Sequence, residues 1–445
     1  MTTLTRSNKA LIFDFCWVVA TLAVFLFVAE WRRANPGPSL LISHDMSETL
    51  GAEYNAIAIA IVKGRGFSDP FMVESGPTAW MPPILPYIIA VLYYLFSGDK
   101  SYVIFFLHTF QSISIYFAGF VFIRISRLFR PFGLGHVILP IGLLTEFQGL
   151  FQRLDDTWLI LFVYNLVLLN AVGMARGRKQ SYLWIRSGCL IGFTTLCSPI
   201  AGVVGFISFS IGLLIRYSVV MKGKRRNIRW ILGHLIRVSV LATCILFPWN
   251  LRNLLMLDAW IPIKSNFAYE LWQSQNVDDD GVLDLRTILE HPWSFANDQR
   301  QLYIELGEVE FCKIRWLQAR TAITRDPFSF VKRVCNRFSA ACILPVEFSV
   351  NLDSFYNRRF RTFLYSLPFL ACFFLTVLCR NKCNITIIAA AIYVIGLAPF
   401  ILFSYLERYG VPLVSVKMIL VCVAASKVLA PHFSASRLSN ATETK

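Results

Sequence analysis

The chain has 445 residues, of which 56% are hydrophobic and only 16% are charged, and its mean hydropathy is +0.56. This composition excludes an ordinary soluble domain and predicts a polytopic membrane protein. The formal net charge is +16, but most Lys and Arg lie in short loops between apolar runs. There they set topology and meet anionic lipid, which argues against a nucleic-acid-binding protein.

Apolar runs long enough to cross a bilayer recur along the chain and predict an all-α protein with about ten transmembrane helices. The runs are 11–29, 102–123, 133–150, 157–174, 184–199, 200–217, 230–248, 362–379, 385–403 and 411–430. The first run follows Arg6 and Lys9. It is longer than the apolar core of a typical signal peptide, so we expect an uncleaved first span.

Basic clusters follow the second, fourth, sixth and eighth apolar runs, as in 124–130 and 222–229. Because cytoplasmic loops are enriched in Lys and Arg, this pattern predicts a cytoplasmic N-terminus. The orientation is consistent only if 82–96, an apolar segment with three prolines, does not cross the membrane. We therefore expect a surface or re-entrant helix there.

The same orientation places four connections on the outer face, where we expect them to converge on one site. They are 30–101, 148–157, 249–361 and 405–410. The predicted organisation is a transmembrane domain with its first outer loop, a small helical cap, C-terminal transmembrane helices and a cytoplasmic tail. Their limits are 1–248 with loop 30–101, 249–361, 362–430 and 431–445.

The first outer loop combines acidic residues with helix-breaking residues. Seven glycines and prolines interrupt it at Gly64, Gly66, Gly76, Pro77, Pro82, Pro83 and Pro86. Irregular backbone at membrane depth is tolerated only where protein or water satisfies its polar groups. The segment 53–86 is therefore predicted to cover a cavity at the membrane surface.

Two sets of carboxylates belong to these connections: Asp45, Glu48 and Glu53 in the first, and Asp155 and Asp156 in the second. Acids at the mouth of a span are costly unless a cation, a metal or water receives them. A single acid at a helix N-terminus is also explained by the helix dipole. Two sets meeting on one face favour a functional site.

Four cations lie on the same predicted face: Arg252, Lys264, Arg337 and Arg408. Arg offers a planar fork of donors suited to phosphate oxygens, and Lys adds a point charge. Interaction with lipid headgroups is the competing interpretation. Together with the acids, these cations indicate displacement at a sugar anomeric carbon that carries a lipid-linked phosphate, with one carboxylate as the base.

Several segments resemble bacterial GT-C type glycosyltransferases, related to the family 39 protein O-mannosyltransferases and the aminoarabinose transferases of lipid A. The resemblance is carried by EYNAIAIAIVKGRGFSDPF, SGPTAWMPPILPYIIAVLYYLFSG, LDDTWL, FPWNLRNLLMLDAWIPIKSNFAYELWQSQN, HPW, LGE and DPFSFVKR. It implies a polyprenyl-phosphate sugar donor, juxtamembrane helices, and catalysis on the periplasmic side of the bacterial inner membrane. The implied acceptor is a lipid-linked glycan, lipopolysaccharide, a polymer or a protein.

The resemblance also implies roles for particular residues. The base would be Glu53 or, second, Asp45, since the first-loop acids are spread out here instead of paired, and Asp156 would be the acid of the second loop. Acceptor or substrate contacts are assigned to Asp155, Asn266, Glu270, His291 and Glu308. No cofactor is indicated and no metal ligand set is assigned, although the Asp155–Asp156 pair leaves a divalent metal open. The alternative function is a polytopic lipid or saccharide transporter or flippase.

Overall fold

The computed structural model describes residues 6–34, 50–128, 133–146, 154–177, 182–220, 228–277, 280–283, 287, 289–294, 298–344, 355–379 and 383–442. These ranges form helices joined by turns, and they contain two isolated β-bridges, between Ser68 and Pro77 and between Val282 and Tyr405, but no β-strand. The predicted all-α class is confirmed.

Fifteen α-helices are described, with a π-helical turn (Phe374–Leu378) and a 3₁₀ helix (Glu407–Leu413). They are α1 (Arg6–Ala34), α2 (Glu53–Val62), α3 (Ile84–Leu95), α4 (Lys100–Ser126), α5 (Leu134–Glu146), α6 (Thr157–Ala175), α7 (Leu183–Cys197), α8 (Pro199–Val220), α9 (Ile228–Leu257), α10 (Phe267–Asn276), α11 (Asp298–Arg325), α12 (Pro327–Cys342), α13 (Phe355–Phe373), α14 (Asn384–Leu402) and α15 (Val414–Thr442).

Seven helices of the described ranges are long and apolar enough to cross a membrane: α1, α4, α6, α8, α9, α14 and α15. This confirms a multi-pass membrane protein. The other three predicted spans, 133–150, 184–199 and 362–379, coincide with α5, α7 and α13, whose apolar helical stretches are shorter.

Helix α6 is the most enclosed of the seven. Of its most apolar stretch, 72% is buried inside the protein, against 17% for the corresponding stretch of α9. It packs against α4, α8, α14 and the 3₁₀ helix. Its sequence contains no charged residue, as expected for a span surrounded by other helices. The start of α6, directly after Asp155 and Asp156, is thereby fixed by the core of the bundle.

Helix α9 extends further than the sequence pattern indicates. The predicted span ends at 248, but the helix continues through Pro248 to Leu257. A proline removes one backbone hydrogen bond, and membrane helices tolerate this loss when neighbouring groups compensate for it. The additional turns carry Arg252 beside the first outer loop. The predicted domain limit at 249 thus falls inside a helix.

Helix α1 is attached to the bundle by a polar cluster around Asp14, which is 1% exposed. Its carboxylate accepts a hydrogen bond from Arg127, and its Oδ1 lies 3.0 Å from His136 Nε2. The Trp17 indole also donates to the His136 carbonyl oxygen, at 3.1 Å. Lipid tails provide no hydrophobic drive for helix association, so such polar contacts determine how α1 packs on α4 and α5.

The two short helices of the first outer loop pack on each other. Helix α3 has 12 residues, a length of about 18 Å, which is shorter than the roughly 30 Å hydrocarbon core. It buries Leu85 and Ile89 and exposes Tyr87, Val91 and Tyr94. A short helix with one exposed apolar face agrees with the expectation that 82–96 does not cross the membrane.

The cap helix α11 is tied to the first outer loop by Glu308. Its Oε1 accepts from the Ala79 backbone N–H at 2.8 Å, and its Oε2 accepts from the Tyr303 hydroxyl at 2.8 Å and from the Thr78 hydroxyl. Gly307, with φ of 72° and ψ of 165°, kinks α11 immediately before this residue. The buried carboxylate therefore joins α11 to the segment leading into α3.

We expect Glu308→Ala to lower the free energy of unfolding by about 3 kcal/mol, because it leaves buried donors of Thr78, Ala79 and Tyr303 without an acceptor. Glu310→Ala is the matched control, since Glu310 is exposed and pairs with Lys313 on the same helix; we expect it to cost less than about 0.5 kcal/mol. Thermal unfolding of the detergent-solubilised variants measures both. Equal destabilisation of the two variants would contradict the tether.

Candidate functional site

The four connections that the sequence predicts on the outer face meet around the start of α6. The Tyr54 hydroxyl, in the first turn of α2, donates to Asp156 Oδ2 at 2.8 Å. The Arg408 guanidinium, in the 3₁₀ helix, donates through Nη1 to Asp155 Oδ2 at 2.7 Å. Residues of the large connection complete the cluster, with His291 Nε2 3.5 Å from Glu53 Oε1. Acids and cations from four distant segments are thus brought together.

An unusual backbone segment positions Glu53. Leu50, Gly51 and Ala52 all have positive φ, of 50°, 74° and 40°. A Cβ on Gly51 would lie 3.2 Å from the Asp155 Cα and 3.4 Å from the Leu154 carbonyl oxygen. Only a residue without a side chain fits this approach comfortably, so Gly51 brings the backbones of the two acidic loops into contact. Helix α2 and its Glu53 begin immediately afterwards.

The Glu53 side chain is 14% exposed. Burial raises the pKa of its carboxyl to about 6, and Glu270 raises it further, while Arg408 and Lys264 act in the opposite direction. The carboxylate is therefore a stronger base than a solvated glutamate, and it titrates close to neutral pH.

Asp155 and Asp156 have different partners. Asp155 Oδ1 accepts from the Thr157 backbone N–H at 3.0 Å and from the Thr157 hydroxyl, while its Oδ2 receives Arg408. Burial, and then the neighbouring Asp155 charge, raise the pKa of Asp156, which Arg408 and the Tyr54 hydrogen bond oppose. Asp155 is a buried, ion-paired anchor, whereas burial favours the protonated form of Asp156.

Arg408 is held at one end and accessible at the other. Its side chain is 32% exposed, although its Nε is buried and has no hydrogen-bond partner within the described ranges. The guanidinium carbon lies 5.5 Å from the centre of the Tyr409 ring, which stacks on Phe400 at 4.2 Å. The pair with Asp155 thus fixes the side chain while donor capacity is left for an anion.

A second cation lies in the same electrostatic environment. Lys264 Nζ is 3.1 Å from Glu270 Oε1, and the same oxygen accepts from Asn266 Nδ2 at 2.9 Å. Lys264 and Glu270 both influence the pKa of Glu53. This trio lies at the start of α10, in the segment that follows α9. It adds one positive and one negative charge to the site.

The other two predicted phosphate ligands bind backbone instead. Arg252 donates to the carbonyl oxygens of Thr78, at 2.6 Å, and Phe67, at 2.5 Å. Arg337 is fully buried and donates to the carbonyl oxygens of Ile401, Leu402 and Gly281. These contacts hold the first outer loop on α9 and the cap on the end of α14.

The remaining predicted residues are placed as follows. Glu308 belongs to the tether between α11 and the first outer loop. Asp45, the second choice for the base, and Glu48 lie outside the described residues. His291 lies beside Glu53 and is half-buried, with its side chain 23% exposed, and Asn266 and Glu270 contact each other beside Lys264.

Sequence reasoning missed three side chains of the site: Tyr54, Thr157 and Tyr409. Each immediately follows a residue that was singled out, namely Glu53, Asp156 and Arg408. Their position next to a predicted acid or cation was the available signal in the sequence. Sequence position alone does not show whether the neighbouring side chain points into the site.

The side chains of the site that the structure describes do not form a metal-binding group. Within the described ranges, no group of three or more His, Cys, Asp or Glu side chains is arranged to hold one. Both Asp155 oxygens already accept hydrogen bonds from protein donors. We therefore assign no metal ligand.

Comparisons with known proteins give one structural likeness. No protein-family model matches the chain, and no curated protein matches it. Among solved structures it is similar to the archaeal oligosaccharyltransferase AglB from Archaeoglobus fulgidus, determined with an inhibitory peptide and a dolichol-phosphate, at 14% identity and a TM-score of 0.44. The alignment covers 91% of this chain and 51% of that one, so the chain spans about half the length of AglB. A likeness this low carries no functional conclusion.

We expect Gly51→Ala to destabilise the protein by about 1–3 kcal/mol more than Gly66→Ala. Both glycines have positive φ, 74° and 72°, but a Cβ on Gly66 has nothing within 4 Å. The difference therefore isolates the contact between Gly51 and the backbone of the second acidic loop. Thermal unfolding in detergent measures it, and equal midpoints for the two variants would show that the close approach is unimportant.

Proposed function

We propose that the protein is an integral-membrane glycosyltransferase that moves a sugar from a polyprenyl-phosphate donor to an acceptor hydroxyl on the outer side of the membrane. The observation that carries the proposal is the cluster itself. A largely buried carboxylate with a pKa of about 6, Glu53, shares one site with Arg408 and Lys264. A base and an anion-binding group side by side are what such a transfer requires.

In this proposal Glu53 is the general base. It takes the proton of the acceptor hydroxyl while the acceptor oxygen forms its bond to the anomeric carbon. The bond between that carbon and the phosphate oxygen breaks, and its electron pair leaves with the polyprenyl phosphate. A base with a pKa near the working pH suits this step, because enough of it is ionised while its affinity for the proton stays high.

Arg408 and Lys264 stabilise the departing phosphate. The charge on the leaving oxygen grows as the bond breaks, so cations already in place stabilise the transition state more than the ground state. Asp155 fixes Arg408 at 2.7 Å and thereby reduces the reorganisation needed when the donor binds. A phosphate is a weakly basic leaving group, so the reaction needs no separate general acid.

Asp155 organises the site by holding Arg408, and Tyr54 does so by holding Asp156. Asp156 serves the acceptor side. We assign Arg252, Arg337 and Glu308 to holding loop and cap, because their described hydrogen bonds go to backbone or buried protein groups. Asn266 and Glu270 orient Lys264. The acceptor is a glycan, a lipid or a protein, and we place the site on the periplasmic face of a bacterial inner membrane, in line with the charge pattern.

We expect Glu53→Gln to lower transfer by about 10²–10⁴-fold, because the variant cannot accept the hydroxyl proton. Mass spectrometry of cell-envelope glycans, with and without the gene, first identifies the missing sugar, and complementation then compares the variants. Glu74→Gln is the control, since Glu74 is an exposed acid of the same loop, paired with Arg65. Full complementation by Glu53→Gln would overturn the assignment of the base.

The wild-type rate should fall as the pH drops through about 6. The pKa of Glu53 is raised to about 6, so the proposed base becomes protonated in that range and can no longer accept the hydroxyl proton. A base with an ordinary glutamate pKa would lose activity only near pH 4.3. The dependence of kcat/KM on pH with purified enzyme measures the acid limb, and a half-maximal point close to that of a solvated glutamate would contradict the proposed base.

Arg408→Lys should raise the KM for the donor and lower kcat, each on the order of tenfold, since Lys keeps the charge but loses the planar fork that contacts both Asp155 and a phosphate. Arg65→Lys is the matched control, because Arg65 also pairs with two acids, Asp69 and Glu74, but lies away from the cluster in the first loop. Transfer rates measured against donor concentration test this. Unchanged kinetics for Arg408→Lys would remove Arg408 from the phosphate site.

A further inference from the structure

His291 lies beside Glu53 in a rigid aromatic environment. Its ring contacts the rings of Tyr269, Phe71 and Trp80 edge-on, with centroid distances of 5.4, 5.9 and 6.3 Å. The preceding residue is also fixed, because the Tyr269 hydroxyl donates to the Glu290 carbonyl oxygen at 3.2 Å. The imidazole therefore has little freedom to reorient.

A backbone contact determines which ring nitrogen carries the hydrogen. The Trp293 N–H donates to His291 Nδ1 at 3.2 Å, so Nδ1 acts as an acceptor and bears no hydrogen. In a neutral imidazole the hydrogen is then on Nε2. Nε2 is the atom that lies 3.5 Å from Glu53 Oε1.

We propose that His291 is a positioning residue that holds the Glu53 carboxylate through its Nε2–H. The proposal rests on the proposed function for the catalytic role of Glu53, but the contact itself does not. It differs from the acceptor-binding role that the sequence assigned to His291, because the residue acts through Glu53 and not on the substrate.

The surroundings of the ring keep it neutral. Burial lowers the pKa of His291 to about 4, against a raising effect of Glu270, and Arg408 lowers it further. Across the range in which Glu53 titrates, His291 is therefore a neutral donor and neither a base nor a cation. The charged groups that act on Glu53 itself are Arg408, Glu270 and Lys264.

A neutral donor beside a carboxylate has two effects. It favours the ionised form of Glu53 and so lowers the pKa of that carboxyl, but by less than a positive charge at the same place would. It also restricts rotation of the carboxylate, so that one oxygen faces the ring while the other is left for the acceptor. The 3.5 Å separation is longer than an optimal N–H···O bond, and catalytic hydrogen bonds often shorten once substrate is bound.

The test compares His291→Asn with His291→Gln. The shorter Asn amide takes the place of Nδ1 and accepts from Trp293 but does not reach Glu53, whereas the Gln amide places a donor near the position of Nε2. The titration of Glu53 is followed by infrared difference spectroscopy of its carboxylic C=O stretch, with Glu53→Gln as the subtraction control. We expect the midpoint to rise by about one pH unit in His291→Asn and to stay within a few tenths in His291→Gln.

A midpoint in His291→Asn equal to that of the wild type overturns the proposal, provided that thermal unfolding shows both variants to be folded. If Asn destabilises the cap, His291→Phe replaces it, because Phe keeps a ring in the aromatic environment without a donor. The spectroscopic result does not depend on activity. An active Glu53→Gln variant would reject the proposed function while leaving the contact between His291 and Glu53 to be judged by the titration.

Discussion

The ion pair between the buried carboxylate of Asp155 and the partly exposed guanidinium of Arg408 is the interaction on which the site depends. It joins the start of the most enclosed helix, α6, to the 3₁₀ helix 253 residues later in the chain. Asp155 is 3% exposed, so loss of Arg408 would leave an uncompensated buried charge, which typically costs 3–5 kcal/mol. The other contacts assemble on this pair: Asp156 follows Asp155 and receives Tyr54, and Tyr54 directly follows Glu53.

Cations in this protein divide into two groups that composition cannot separate. Arg252 and Arg337 are fixed by backbone carbonyl oxygens, and they hold the first outer loop and the cap in place. Arg408 and Lys264 are paired with acids and belong to the electrostatic environment of Glu53. The first group gives the site its shape, and the second gives it its charge. In the proposed reaction only the second group meets the phosphate, whereas the first keeps the loops around it from moving.

Hydropathy predicts most of the membrane-spanning helices because a lipid environment admits few alternatives to an apolar helix. The meeting of the four outer connections also follows from sequence, since the parity of the spans and the basic loops together place Glu53, Asp156 and Arg408 on one face. The partners of each side chain do not follow. Whether Arg252 binds a phosphate or the carbonyl oxygens of Thr78 and Phe67 depends on how far α9 continues beyond Pro248, and the role of Glu308 depends on a kink at Gly307. Such contacts are decided by tertiary geometry that no local pattern records.

The contact between Gly51 and the backbone of Leu154 and Asp155 has a consequence for how the protein tolerates change. Main-chain atoms are the same in every amino acid, so an approach made by main chain alone is indifferent to what side chain the partner carries. The Leu154 side chain takes no part in this approach and is constrained only by its own burial, at 2% exposed, while position 51 has almost no freedom. The distance between the two acidic loops thereby depends on the absence of a side chain at a single position.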